Sequence, residues 1–147
     1  MKRKIITVLS LILIAALFLT ACNTLSDAAK LTEYDFGTDK VPTINSVIGT
    51  ERKVTGVSSG TSNGIKYKEY TYQTDSTFDD LLAYVTALMN DYDWMAIEDY
   101  NLNDPTGTVK LAIESADSGK ILIMTITYKA NEYTIRIEKG DGTLTRY

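Results

Sequence analysis

Residues 76–92, Ser-Thr-Phe-Asp-Asp-Leu-Leu-Ala-Tyr-Val-Thr-Ala-Leu-Met-Asn-Asp-Tyr, carry the strongest periodic signal in the chain. Phe78, Leu81, Leu82, Val85, Leu88, Met89 and Tyr92 fall at i, i+3, i+4, i+7, i+10, i+11 and i+14, one stripe of an α-helix. Ser76 or Thr77 can cap the free amide groups at its start. Asp79 and Asp80 put negative charge in the first turn, where the helix dipole favours it. A stripe of this kind needs an apolar surface to pack on, and the flanking sequence supplies a sheet.

Beyond the helix the period falls to two. Val109, Leu111 and Ile113 alternate with Lys110, Ala112 and Glu114, and Asp117-Ser118-Gly119 then turns the chain. Leu122, Met124, Ile126 and Tyr128 make the next apolar face, and Tyr133, Ile135 and Ile137 follow a turn at Asn131. Trp94–Leu102 reads as a further strand, closed by Asn103-Asp104-Pro105-Thr106-Gly107. Before the helix, residues 50–58 and 65–73 are rich in Val, Thr and Tyr, and the turn-forming Ser59–Gly64 joins them as a hairpin with a longer loop. Short turns imply antiparallel neighbours. The expected fold is therefore α+β, an antiparallel sheet of about five or six strands with one helix across one face, in the order ββαβββ(β). The opposite face would show Ala112, Ile121, Ile123, Thr125, Thr127, Thr134 and Arg136, too apolar to stay fully wet. Residues 34–48, with Tyr34, Phe36, Val41, Ile44, Val47 and Ile48, are expected to fold back over it, a docked partner being the alternative.

The amino-terminal end has a different character. Lys2, Arg3 and Lys4 precede an apolar run from Ile5 to Leu19, the pattern of an export signal and short for a membrane span. Leu19-Thr20-Ala21-Cys22 resembles the lipobox of bacterial lipoproteins. The resemblance implies cleavage before Cys22, a diacylglycerol on its sulfur, and anchorage at the extracytoplasmic face of the cell membrane. Residues 1–21 would then be signal peptide, 22–33 a lipidated tether, and 34–147 a single α+β domain. Two acyl chains, palmitate or similar, hold stably where one exchanges.

Loss of Lys2, Arg3 and Lys4 leaves 12 basic against 19 acidic side chains, a formal charge of −7 on the mature chain. That sign opposes nucleic-acid binding, and no basic cluster offsets it. The chain has no histidine, which removes imidazole acid/base chemistry and Ser-His-Asp or Cys-His centres. Its one cysteine is Cys22, so no internal disulfide framework or thiolate metal cluster is expected. Gly56-Val57-Ser58-Ser59-Gly60 matches G-x-S-x-G, but Ser58 is expected in a hairpin loop, without the strand, helix and histidine a nucleophile elbow needs. Asp99, Asn101 and Asn103 sit at positions 1, 3 and 5 of a calcium-loop pattern that then fails, with Asp104 where glycine belongs and Lys110 where glutamate belongs. No acid lies inside an apolar run, as a glycosidase pair would require; Glu69, Glu114 and Glu138 alternate away from apolar neighbours.

No catalytic residue, metal site or cofactor is therefore expected. Ten tyrosines against three phenylalanines remain to be explained. Tyrosine suits half-buried sheet positions and also binding surfaces, and Tyr70, Tyr72, Tyr100 and Tyr128 are the candidate contacts for a glycan or an envelope protein. The expected function is a membrane-anchored lipoprotein with a non-catalytic binding or envelope-associated role. A wall-glycan hydrolase using Asp/Glu pairs, or a proteinaceous inhibitor or immunity protein, are the alternatives.

Overall fold

The structure, a computed structural model, describes residues 24–145; the leader and Cys22 lie outside the described residues. The chain runs through helix α1 (24–29), strands β1 (Glu33–Phe36) and β2 (Asp39–Pro42), and helix α2 (Ile44–Ile48). Strands β3 (Lys53–Ser62) and β4 (Ile65–Gln73) precede helix α3 (Thr77–Asp91). Strands β5 (Met95–Ala96), β6 (Gly107–Glu114), β7 (Lys120–Lys129) and β8 (Glu132–Asp141) complete it. β1 and β2 form a two-stranded sheet, and the rest form a six-stranded sheet in the order β3-β4-β8-β7-β6-β5. Every pairing is antiparallel. The α+β class is as expected; the order and the strand count differ, because β1, β2 and two short helices precede the hairpin.

The register shows why one face of the large sheet is the core. Tyr72 lies opposite Tyr133, Tyr133 opposite Tyr128, Ile135 opposite Ile126, and Ile126 opposite Val109. All are buried. Period-two alternation therefore places the apolar set of four strands on one continuous inner face. Leu81, Tyr84, Val85 and Leu88 of α3 cover it, together with Tyr34, Val41, Ile44 and Trp94.

Several expectations need correction. First, α3 buries Thr77, Asp80, Leu81, Tyr84, Val85 and Leu88, whereas Phe78, Leu82, Met89 and Tyr92 of the apolar stripe are 38–47% exposed. The buried arc is turned by roughly 70° from the stripe, at about 100° per residue. Asp80 and Tyr84 can face inward because both find partners there. The Asp80 carboxylate accepts two hydrogen bonds from Arg52, at 2.8 and 2.7 Å, and one from the Tyr133 hydroxyl at 3.3 Å. The Tyr84 hydroxyl donates to the Pro42 carbonyl at 2.9 Å. Nor does a side chain cap α3: Ser76 makes no cap hydrogen bond, and the Thr77 hydroxyl donates to Ala130 instead.

Second, residues 34–48 pack on the inner face beside α3. Tyr34 stacks near Tyr70 at 4.7 Å between ring centroids, and its hydroxyl lies 2.7 Å from that of Tyr72. On the outer face Ile121, Ile123, Thr125, Thr134 and Arg136 stay half-buried and Thr127 exposed, with Ala112 alone of the expected set buried. Third, the hairpin loop is tighter than expected. Ser59–Ser62 continue β3, and Asn63 and Gly64 turn the chain at φ 51° and 80°, the positive values a two-residue hairpin turn needs. Trp94–Leu102, by contrast, contributes only the two residues of β5 to the sheet. Fourth, part of the expected tether, residues 24–29, is helical and packs on the fold. Ala28 and Ala29 of α1 are buried, the Ala29 carbonyl accepts from Asn45 Nδ2 at 2.9 Å, and the Leu31 carbonyl accepts from the Thr43 hydroxyl at 2.7 Å.

The Arg52–Asp80 pair generates a test. Asp80 is 4% exposed in its side chain and Arg52 25%, so Arg52→Ala leaves a carboxylate in the core without its counter-ion. We expect a loss of roughly 3 kcal/mol in denaturant unfolding. The double variant Arg52→Leu/Asp80→Leu should lose less than Arg52→Ala alone; a larger, additive loss would contradict this account of the helix orientation.

Candidate functional site

The tyrosines proposed as contacts do not converge on a surface. Tyr70, Tyr72 and Tyr128 are buried in the core, because strand alternation carries them to the inner face. Tyr72 packs on Tyr133 at 5.4 Å between centroids, and the Tyr128 hydroxyl donates to the Asn101 carbonyl at 2.7 Å. Burial pushes the Tyr34, Tyr70, Tyr72, Tyr84 and Tyr133 phenols above the ordinary tyrosine value. Of the four, only Tyr100 is exposed, and its hydroxyl meets Met89 Sδ at 3.6 Å. The tyrosines that the sequence offered for binding are thus mostly structural.

A concavity lies elsewhere, at the end of the inner face that α3 leaves open. It is a cleft of about 750 Å³, walled by the β1–β2 turn (Asp35, Phe36, Gly37, Thr38), the far part of the β3–β4 hairpin, and the β6–β7 turn. Gly37 shapes the first wall at φ 78°, its amide bonded to Asp35 Oδ1 at 2.7 Å. On the hairpin wall, Ser59 pairs with Lys68 and Thr61 with Lys66, so two hydroxyls and two ammonium groups share the sheet face that carries Tyr70. Lys68 Nζ stands 5.6 Å from the Phe36 ring centroid, a cation–π distance. Lys120 and Lys139 complete a set of four lysines against two aspartates, Asp35 and Asp117, in a chain whose formal charge is −4.

Lys139 is the fixed point of this end of the molecule. Its ammonium lies 2.6 Å from both Asp39 Oδ2 and Asp117 Oδ2, and 3.2 Å from the Thr38 hydroxyl. Burial works against its charge, but the bonds to Asp117 and Asp39 outweigh that and hold it above the ordinary lysine value. Burial likewise raises Asp39, but Lys139, the Ala116 amide and the Ser115 hydroxyl together hold the carboxyl below its usual range. Asp117 is lowered by its hydrogen bonds to Lys139 and Thr38. The network ties β2, the β6–β7 turn and β8 into one wall. Lys120 pairs with Asp141 at 3.0 Å. Among the described residues Lys66 and Lys68 form no ion pair, although Lys68 is near enough to Asp35 to help hold its carboxyl below the usual range.

The motifs weighed for chemistry sit differently. Ser58 is not in a loop but within β3, its hydroxyl 3.3 Å from that of Tyr67. Strand pairing with β4 puts it on the outer face opposite Glu69. Glu69 and Glu138 do come together there, sharing Arg136 at 3.5 and 2.8 Å, while the guanidinium stacks 3.9 Å from the Tyr67 ring centre. The two carboxylates are thus bridged by one guanidinium on the outer sheet face. Asn101 Oδ1 accepts from the Asn103 amide at 3.1 Å, and Glu98 pairs with Lys110. Among the described residues no three acidic, histidine or cysteine side chains stand close enough to hold a metal ion. Compared with protein-family models, curated proteins and solved structures, the chain matches none.

The lysine network sets a pH response. Carboxylates lowered in the fold contribute stability above their unfolded value, about 3.9, and lose it as pH falls through the lowered values. The melting temperature of the wild type should therefore fall steeply below about pH 4. Asp39→Asn should lower stability near neutral pH by about 1–3 kcal/mol and flatten that acid limb. An unchanged acid limb in the variant would show that Asp39 is not tied to Lys139 in this way.

Proposed function

We propose that the protein is a lipoprotein of the cell envelope, anchored through Cys22 at the extracytoplasmic face of the membrane, with a non-catalytic binding role exercised by the lysine-lined cleft. Leu19-Thr20-Ala21-Cys22 after an apolar leader supports the anchor. The cleft supports the binding role, and it is the observation that carries the reading. An acidic chain brings Lys66 and Lys68, which form no ion pair among the described residues, together with Ser59, Thr61 and the Phe36 ring in one open concavity. Positive potential in a concave site focuses anionic ligands.

Cys22→Ala tests the anchor. Mass spectrometry of the wild type isolated from membranes should find Cys22 as the first residue, carrying a diacylglycerol. The variant should stay unprocessed and unacylated. An intact amino-terminal methionine with a free thiol in the wild type would overturn the lipoprotein reading.

A further inference from the structure

The two edges of the six-stranded sheet are built in opposite ways. At one edge β5 is two residues long. At the other, β3 is ten residues long and, among the described residues, hydrogen-bonded to β4 alone. Nothing from Val54 to Ser62 is charged, and residues 57–62 are all exposed. Native sheets blunt such edges with charge, proline or brevity, because a row of free N–H and C=O groups templates another strand. β3 has none of these guards over its outer six residues.

This open edge is also the lip of the cleft. Ser59 and Thr61 of β3 project to the inner face, with Lys68 and Lys66 directly across on β4. A strand added beside β3 would lie about 4.8 Å outward, two spacings or roughly 10 Å from β4. Every second side chain of that strand would hang over the inner face, within reach of the two unpaired ammonium groups. Main-chain bonds would supply affinity and the lysines would select alternate side chains. We infer that β3 receives an extended acidic peptide segment of a partner protein, added as a seventh strand, with its alternate carboxylates over Lys66 and Lys68. The charge of the lip favours this occupant over a second copy of the chain, whose own β3 would bring no carboxylate to those lysines.

The inference rests on the cleft being the binding surface and is independent of the anchor. The test uses the full-length protein in detergent and fluorescence anisotropy of labelled octapeptides that alternate glutamate, glutamine or lysine with valine. The glutamate peptide should bind, and more weakly as salt rises. Lys66→Glu/Lys68→Glu should weaken it by about tenfold or more and shift preference to the lysine peptide. Ser58→Pro and Ser59→Pro separate edge from ladder: successive N–H groups alternate between β4 and the open side. One of the two variants should lose binding with its melting temperature kept, and the other should lose a ladder bond.

Equal binding of all three peptides, or binding indifferent to both proline variants, would overturn the proposal. So would sedimentation of a dimer that a proline variant dissolves, which would make a second copy the occupant. If an anionic polysaccharide binds instead, weakened by the lysine substitutions but not by proline, the cleft reading stands and the strand-addition proposal falls. A Cys22→Ala protein that still binds the glutamate peptide would separate the failure of the anchor from that of the site.

Discussion

Asp80 enters the core on the first turn of α3 and meets Arg52 and Tyr133 there. A carboxylate with a relative exposure of 3% is tolerated only with a counter-ion and hydrogen bonds. Arg52 comes from the segment between α2 and β3, and Tyr133 from β8. One ion pair therefore sets the rotation of the helix, its height on the sheet and the path of the chain into the hairpin. Tyr84, one turn later, extends the same constraint to β2 through the Pro42 carbonyl. With the helix held at this end, the β1–β2 hairpin covers the middle of the inner face and the far end stays open as the cleft.

Two kinds of lysine then divide the labour at that open end. Lys139 is spent on structure, neutralised by Asp39 and Asp117, with its ammonium nearly out of solvent. Lys66 and Lys68, on the hairpin, are left to the solvent side. The same strand pairing that aligns them with Thr61 and Ser59 leaves the outer edge of β3 without a neighbouring strand among the described residues. Charge and free backbone thus arise together from the hairpin projecting past the part of the core that α3 covers.

The strands were legible because their signal is local. Val109 to Ile113, Leu122 to Tyr128 and Tyr133 to Ile137 alternate cleanly, and a one-residue slip in any of them would turn an apolar row to water. The helix was legible in extent but not in orientation. Counting apolar residues selects the arc through Phe78, Leu82 and Met89, whereas burial follows Asp80 and Tyr84, whose polar ends are satisfied by residues 28 and 42 positions away in the chain. The candidate tyrosines were misplaced for a related reason: composition shows that tyrosine is abundant, and only the register shows that Tyr70, Tyr72 and Tyr128 share the inner face. The cleft had no sequence signature, since its walls come from three separate turns.

By itself the sequence determined the α+β class, the existence of each long strand and of α3, and the acidic balance, because each is written in neighbouring residues through periodicity or charge. Tertiary structure decided which arc of α3 is buried, that residues 34–48 join it on the inner face, and that Lys66 and Lys68 stand unpaired beside an open edge. Those outcomes depend on contacts between segments tens of residues apart, where a polar group goes inside only if a distant partner is already waiting for it.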